Sequence, residues 1–247
     1  MLIFHILTEM AYPKRFSFET LNKLRKFKDK KDYIASYLNL IGEGSSRIVY
    51  KVDREKAIKI AKNRLGQKQN KIEVEKCKNY PGCFAHVYET DPKAYWIEAE
   101  IATSIKEKDF KRLYGVSFAD IGIFMAKLVL NSAKNEDERK AAIAAGKKFL
   151  KFAKIDLYRE FNRGSSTINP DLKILLEDLY WYFSTSGINM NEAADYMTMS
   201  NWGIVKRNGK KHAVIIDAGL NEEIFLKYYD SRINPLIGGY NTSALNA

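Results

Sequence analysis

The sequence predicts an α+β protein with a strand-rich N-terminal region and a mostly helical C-terminal region. Two observations predict this order. Between residues 38 and 102, short apolar segments alternate with turn-forming residues, which is typical of antiparallel strands. After residue 103, apolar residues recur at helical spacing along most of the chain. The 247 residues are enough for one large domain or two smaller lobes.

The strand-rich region is expected to follow a basic, helix-like stretch over residues 14–36. Gly42 and Gly44 mark the first corner between strands, and Asp53 marks the second. A single helix is expected in this region, and it ends before Pro81. The predicted elements are strands over residues 38–44, 46–52 and 56–61, a helix over 66–80, and strands over 85–90 and 94–102.

The C-terminal region is predicted to contain helices over residues 107–114, 117–130, 136–161 and 171–186. The last of them carries four consecutive aromatic residues, 180–183, which we expect in the core. A final strand ends at Ile216. We place the boundary between the two regions after residue 102, which predicts domains of residues 1–102 and 103–247.

The charge balance indicates an anionic partner. Lysine and arginine number 41 against 30 acidic residues, a net charge of +11, which favours nucleotide phosphates, nucleic acid or acidic protein surfaces without choosing among them. Cys77 and Cys83 are the two cysteines, and with His86 they lack a fourth zinc ligand, so we expect packed thiols in a reducing compartment. No apolar run approaches a membrane span and no secretory signal opens the chain, which predicts a cytoplasmic protein without membrane partners.

A glycine-containing turn and a lysine within a strand are the first candidate functional features. The segment 42–49 reads Gly-Glu-Gly-Ser-Ser-Arg-Ile-Val, in which glycines allow either a simple hairpin or close approach of a phosphate to the backbone. Lys59 lies between Ile58 and Ile60, so it points to the opposite face of its strand. A lysine in such a strand needs an anion, and the next helix offers Glu73 and Glu75.

Two further candidates lie late in the chain. Asn201 precedes Trp202 and Gly203, and Asp217 directly follows an apolar strand and precedes Ala218-Gly219. A carboxylate at the end of a buried strand is suited to hold a divalent cation. The alternative is that Asp217 caps a helix that begins near residue 221, and the residues alone favour neither.

The order of these features resembles the protein-kinase-like family. Gly42, Gly44 and Val49 match its glycine-rich loop, with Arg47 at the third glycine, and Lys59 matches its strand lysine. Residues 217–219 stand where the family has Asp-Phe-Gly. The chain is most similar to small kinase-like proteins of bacteriophages and bacteria. The resemblance implies a bilobal fold, with a strand-rich N-lobe containing one helix and a truncated, mostly helical C-lobe.

The resemblance also implies a site for ATP and Mg²⁺ and an activity, phosphoryl transfer to a protein or small-molecule hydroxyl. The phosphates are expected near the glycine-rich loop and Lys59, with adenine against the strand that ends at Glu100. The implied residues are Gly42, Glu43, Gly44, Ser45, Ser46 and Val49 around the nucleotide, Lys59 on its phosphates with Glu73 or Glu75 as partner, Asn201 and Asp217 on Mg²⁺, and Asp195 on the acceptor hydroxyl.

Two departures from the family leave other functions open. Tyr196 occupies the position at which the family has its catalytic aspartate, so Asp195 acts only if the loop is one residue longer. Only 28 residues follow Gly219, so a protein substrate is not expected to be held in the usual way. The alternatives are a nucleotide-binding pseudokinase that acts as a regulatory protein, a basic nucleic-acid-binding protein, and a transferase that moves AMP instead of phosphate.

Overall fold

The computed structural model describes residues 16–185, 188 and 190–229. The protein is a mixed α/β chain, about 51% helix and 19% strand, with a sheet in its N-terminal region and a helical C-terminal part, which confirms this level of the prediction. It divides into two compact units, one of residues 16–70 and 87–101 and the other of residues 71–86 and the described part of 102–229. The sequence analysis placed one boundary, after residue 102.

The first unit contains one antiparallel sheet. Its strands are β1 (Asn39–Glu43), β2 (Arg47–Lys51), β3 (Lys56–Ala61), β4 (Val87–Thr90) and β5 (Trp96–Glu100), and their order in the sheet is β1-β2-β3-β5-β4. Asp53 closes the turn between β2 and β3: its Oδ1 accepts hydrogen bonds from the amides of Glu55 and Lys56 at 2.6 and 2.7 Å. The predicted strands are therefore present.

The basic stretch before the sheet forms two short helices, α1 (Phe18–Lys23) and α2 (Phe27–Ala35), where the sequence predicted one. Leu21 and Ile34 are both fully buried in the same core cluster. In one continuous helix, residues thirteen positions apart would point to different sides. The break at Leu24, which has an extended backbone, allows both side chains to reach the core.

The core of the first unit confirms the alternation expected for β3. Ile58 and Ile60 are fully buried, whereas Lys59 between them is half-buried on the other face. Trp96 of β5 completes the core: its ring stacks on Phe18 with centroids 4.3 Å apart, and its Nε1 donates a hydrogen bond to an asparagine of α1. The other buried members of this cluster are Leu21, Ile34, Leu38, Ile48 and Tyr50.

Helix α3 (Arg64–Asn79) corresponds to the helix predicted over residues 66–80. It begins against the turn between β1 and β2, and Gly66 makes this close approach possible. A Cβ atom at Gly66 would lie 2.2 Å from the carbonyl oxygen of Ser46 and 3.0 Å from Cα of Ala61. The hydroxyl of Ser46 also donates to Gln69, so the first turns of the helix are held on the hairpin by several contacts.

The second unit is mainly helical. Its helices are α4 (Glu107–Tyr114), α5 (Phe118–Ser132), α6 (Glu136–Leu150), α7 (Leu157–Asn162), α8 (Pro170–Thr185), α9 (Met190–Tyr196) and α10 (Glu222–Ile224). The helix predicted over residues 136–161 is wrong, because the chain breaks between α6 and α7. Asp120 of α5 accepts the amides of Lys154 and Ile155 at 2.6 and 2.9 Å, and Asp156 caps α7. These side-chain acceptors stabilise the break.

A three-stranded antiparallel sheet lies in the second unit, with the order β6 (Thr103–Ser104), β7 (Trp202–Arg207) and β8 (Lys210–Ile215). The sequence predicted β8 but not β7. Asn208 and Gly209 both have positive φ angles, as a two-residue hairpin turn with right-handed strand twist requires. Gly203 is needed for packing, because a Cβ atom there would lie 2.6 Å from Cβ of Ala102.

The core of the second unit includes only part of the aromatic run 180–183. Tyr182 and Phe183 are buried, whereas Trp181 is 58% exposed, so the prediction of a wholly buried run is wrong. Consecutive residues of a helix are about 100° apart, and four in a row cannot all face one core. Cys77 and Cys83 are buried free thiols, and burial raises the pKa of Cys83 well above its ordinary value.

Within the described part of the chain, no single helix is long and apolar enough to cross a membrane. Helices α4 and α5 together reach the necessary length and composition, but their axes are bent by 85° at the break between them.

Gly66 provides a test of the packing between α3 and the hairpin. We expect Gly66→Ala to lower the free energy of unfolding by about 1–3 kcal/mol, because its Cβ meets backbone atoms that cannot rotate away. Gly44→Ala is the matched control, since its nearest neighbour would be 3.8 Å away and little change is expected. Urea unfolding of both variants measures the difference, and equal stabilities would contradict the packing described here.

Candidate functional site

The hairpin of β7 and β8 places Asn201 and Asp217 at the same end of the small sheet. Trp202 is paired with Ile215, and one step further the amide of Ile216 donates to the carbonyl of Asn201 at 2.9 Å. Asp217 follows directly and is exposed. The pairing of these two strands therefore brings the two residues predicted to hold Mg²⁺ beside each other.

Asp195 belongs to the same group of residues. It lies in the last turn of α9, and Asn201 Nδ2 donates to both its carbonyl oxygen and its Oδ1, at 2.8 Å each. The backbone between them is a tight turn, in which the amide of Thr198 donates to the carbonyl of Asp195 and the amide of Asn201 donates to that of Thr198. Because Nδ2 is the donor, Asn201 Oδ1 is the acceptor atom that the amide presents.

The electrostatics of this group are those of two neighbouring carboxylates. Burial, and then the negative charge of Asp217, raise the pKa of Asp195 to about 7, against the opposing effect of the hydrogen bond from Asn201. A cation beside the two carboxylates would relieve their repulsion. Carboxylate and amide oxygens are the ligands that Mg²⁺ takes in proteins, so Asp217 and Asn201 fit the ion that the sequence predicted. Among the described residues, no group of three or more His, Cys, Asp or Glu side chains forms a metal site.

The alternative role of Asp217, capping the helix that follows, is filled by another residue. The amide of Ile224 donates to Asn221 Oδ1 at 2.9 Å. Asn221 therefore caps this helix, and Asp217 lies four residues before the cap.

Lys76 is a residue of this region that the sequence analysis missed. It lies on α3 within the second unit, and it is buried. Its Nζ forms an ion pair with Glu192 Oε1 at 2.6 Å and donates to the Tyr196 hydroxyl and to the carbonyl of Leu220. Burial lowers the pKa of Lys76, and the charge of Glu192 opposes this shift. The spacing of α3 carries no signal that singles out this lysine from its neighbours.

Tyr196, at the position where the resemblance implies a catalytic aspartate, is part of the same network. It is fully buried, its hydroxyl also donates to Glu192 Oε1, and its carbonyl accepts a hydrogen bond from Trp202 Nε1 at 2.7 Å. Tyr182 donates to the same glutamate oxygen. Tyr196 is thus a structural residue, and the carboxylate that meets Asn201 is that of Asp195.

The glycine-rich loop lies in the first unit and forms the hairpin between β1 and β2. Gly42 is paired with Val49, and the amide of Gly44 donates to the carbonyl of Arg47 at 2.8 Å. Neither glycine has a positive φ, and a Cβ atom would have no neighbour closer than 4.0 Å at Gly42 or 3.8 Å at Gly44. The hairpin alone therefore does not require glycine at either position.

The polar residues of this loop differ in their surroundings. Glu43 is exposed and pairs with Lys62 at 2.7 Å, and this hydrogen bond, followed by the charge of Lys31, holds its pKa below the ordinary value. Ser45 is exposed. Ser46 is buried and its hydroxyl is used in the contact with α3, so any ligand contact of Ser46 has to come from its backbone.

The remaining predicted residues lie on β3, β5 and α3. Lys59 is at the centre of β3, paired with Val49 on one side and Ile97 on the other. Glu73 is buried and Glu75 is exposed. The two glutamates, which the sequence offered equally as partners of Lys59, therefore differ in burial. Glu100 is buried at the end of β5.

The pKa of Asp195 predicts a pH dependence of stability. Its pKa of about 7 in the folded state exceeds the value of about 4 in the unfolded chain, so the folded state binds more protons between these pH values and stability falls as pH rises from 4 to 7. Asp195→Asn should remove this loss. The unfolding free energy of the variant, relative to that of wild type, should therefore increase by at most about 3 kcal/mol from pH 5 to pH 8. Urea unfolding in EDTA at both pH values measures it. A gain that is the same at both would show that Asp195 titrates normally.

The buried ion pair predicts a strong coupling between Lys76 and Glu192. Lys76→Met leaves Glu192 buried without its counter-ion and should cost about 3–5 kcal/mol. In Lys76→Met/Glu192→Gln the amide oxygen still accepts from the two tyrosine hydroxyls, so the double variant should be more stable than the single one. A double-mutant cycle in urea checks this, and additive effects would mean that the two side chains are not coupled.

The chain was compared with protein-family models and with curated proteins. No family model matches the chain, and no curated protein matches it.

Proposed function

We propose that the protein is an ATP-dependent phosphotransferase with a protein-kinase-like fold, which transfers the γ-phosphoryl group to a hydroxyl of a protein or small molecule. The observation that carries the proposal is the grouping of Asp195, Asn201 and Asp217 in the second unit, with Asn201 hydrogen-bonded to Asp195 and adjacent to Asp217. These are the residue types that phosphoryl transfer uses for metal binding and for the acceptor.

The order of elements from β1 to α3 supports the same fold. A glycine-containing turn joins β1 and β2, a lysine lies on β3, and helix α3 with a buried glutamate follows. In protein kinases these positions carry the glycine-rich loop, the phosphate-binding lysine and the glutamate of the following helix. In this proposal Glu73 takes the role of that glutamate, because a buried carboxylate needs a cationic partner, whereas the exposed Glu75 is solvated.

The roles in the second unit follow from its chemistry. Asp217 and Asn201 Oδ1 would hold Mg²⁺, which when bound neutralises negative charge on the transferred phosphoryl group. Asp195 would accept the proton of the acceptor hydroxyl. A base is most effective when its pKa lies near the working pH, and a pKa of about 7 meets this condition.

The roles in the first unit concern the nucleotide. The hairpin has room for a side chain at positions 42 and 44, but both residues are glycine. The space that a side chain would fill is therefore available to phosphate oxygens. Gly42, Glu43, Gly44, Ser45 and Ser46 would contact the phosphates through their backbone. Lys59 would bind phosphate oxygens, and adenine would lie against the strand that ends at Glu100.

A second function, a nucleotide-binding regulatory protein without transferase activity, is favoured by one observation. Tyr196 occupies the position expected for the catalytic aspartate, and it is committed to the Lys76 network. In that case ATP would bind as proposed, but Asp195 would serve only to position Asn201.

Nucleotide binding is tested first. ATP with Mg²⁺ at a hundredfold excess over Kd should raise the unfolding free energy by about 2.7 kcal/mol. Lys59→Met and Asp217→Asn should reduce this gain, whereas Asp137→Asn, an exposed carboxylate on α6, should not. Glu73→Gln should weaken binding more than Glu75→Gln. A thermal unfolding curve that ATP and Mg²⁺ leave unmoved contradicts both the transferase and the regulatory function.

Phosphoryl transfer is tested next in the variants that still bind ATP. Label from γ-³²P-ATP should appear on an acceptor in a lysate or on the protein itself. Asp195→Ala should lower its rate by about 10²–10⁴-fold, the contribution typical of a general base. Binding of ATP without label transfer in the wild-type protein would favour the regulatory function. Transfer that Asp195→Ala leaves unchanged would exclude that residue as the base.

A further inference from the structure

A basic pocket lies in the first unit, and all of its lining residues belong to that unit. Its volume is about 250 Å³. Its walls come from the loop after α1, from α2, from the end of β3 and the segment that follows it, from the first turn of α3, and from the residue before β5. The lining residues are Arg25, Phe27, Lys30, Ala61, Lys62, Asn63, Arg64, Gln67 and Tyr95.

The charge of this basic pocket is one-sided. Four of its lining residues are cationic and none is acidic. Lys62 has a counter-ion, since its Nζ pairs with Glu43 at 2.7 Å and also donates to the carbonyl of Gly44. Arg25 and Arg64 are exposed, and among the residues that the structure describes neither has a carboxylate within 4 Å. The pocket therefore concentrates positive charge.

Lys30 is the unusual member of the group, because it is only 3% exposed. Its Nζ donates to the carbonyl of Leu21 at 2.8 Å and lies 5.2 Å from the centre of the Tyr95 ring. No carboxylate in the described part of the chain forms an ion pair with it, and burial lowers its pKa, with Asp91 opposing the shift from a greater distance. A buried ammonium without a counter-ion is costly, and an anion in the pocket would offset that cost.

The N-terminus of α3 adds to the positive potential. The helix has 16 residues and begins at Arg64, and Asn63 caps it by accepting the amide of Gly66 at 3.0 Å. The first amides of a helix and its macrodipole both favour anions. Their effect is added here to a pocket that three cationic side chains without carboxylate partners already line.

We propose that the basic pocket, with Arg25, Lys30 and Arg64 as its charged groups, binds a phosphate-type dianion, either inorganic phosphate or the phosphomonoester of a small molecule. Two guanidinium groups can each give paired hydrogen bonds to phosphate oxygens, and the amides of the helix supply further donors. A monocarboxylate would engage fewer of these groups. The volume accommodates a phosphate with part of its carrier.

The proposal does not depend on the proposed function, since it uses none of the residues assigned to ATP or Mg²⁺. It does have a consequence for the glycine-rich loop. Lys62 lines the pocket and also holds Glu43 and the carbonyl of Gly44. An anion in the pocket would compete with Glu43 for the same ammonium.

Isothermal titration of the full chain with inorganic phosphate and, separately, with O-phosphoserine at low ionic strength tests the proposal. Saturable binding is expected for at least one of them, and tighter binding of O-phosphoserine would indicate a carrier-bound phosphate. Arg25→Ala and Arg64→Ala should each weaken binding about tenfold, and the double variant should abolish it. Lys30→Met, which keeps an unbranched side chain in the buried position, should weaken binding without unfolding the protein.

Two controls separate this site from others. Lys28→Ala removes an exposed lysine of α2 that does not line the pocket, and it should bind phosphate as wild type does. Lys59→Met removes the lysine assigned to the phosphates of ATP and reports on anion binding at that other site. The proposal is overturned if neither anion binds, or if binding is the same in Arg25→Ala/Arg64→Ala as in wild type. Loss of binding in Lys59→Met with retention in the arginine variants would place the anion at the site proposed for ATP and overturn it equally.

Discussion

The buried ammonium of Lys76 constrains the second unit, because a charge removed from water has to be matched by nearby acceptors. Its acceptors come from two parts of the chain: Glu192 and Tyr196 on α9, and the carbonyl of Leu220 shortly after Asp217. The segments that carry Asp195 and Asp217 are therefore held by one side chain. Such a tie offsets the repulsion between the two carboxylates, which adds to the effect of burial in raising the pKa of Asp195.

The first unit contains a buried lysine of the opposite kind. Lys30 is as buried as Lys76, but its acceptor is a backbone carbonyl and an aromatic ring rather than a carboxylate. A buried ammonium with its own carboxylate completes a structural network, whereas one beside two further cations adds to a positive potential that favours an anionic ligand.

The carboxylate of the candidate site lies one residue earlier on α9 than the spacing of the family implies. Tyr196 faces the interior and closes the Lys76 network, so the preceding residue, Asp195, is the one that turns toward Asn201. The family's spacing, counted back from Asn201, predicts a carboxylate at the position of Tyr196, which has none. The structure instead places the carboxylate of Asp195 beside Asn201, which donates a hydrogen bond to it, and near the charge of Asp217.

Local patterning in the sequence determined the strands of the first sheet, helix α3, the alternation around Lys59 and the position of Asp217 at a strand end, because each depends on residues within one element or one turn. Only the tertiary structure decided the rest. The breaks between α1 and α2 and between α6 and α7 depend on a shared core and on the acceptors of Asp120, and the exposure of Trp181 depends on which side of α8 faces the core. Lys76 and the basic pocket join residues far apart in the chain. No periodicity records such contacts, since a helical or strand pattern reports which face is buried and not which side chain meets it.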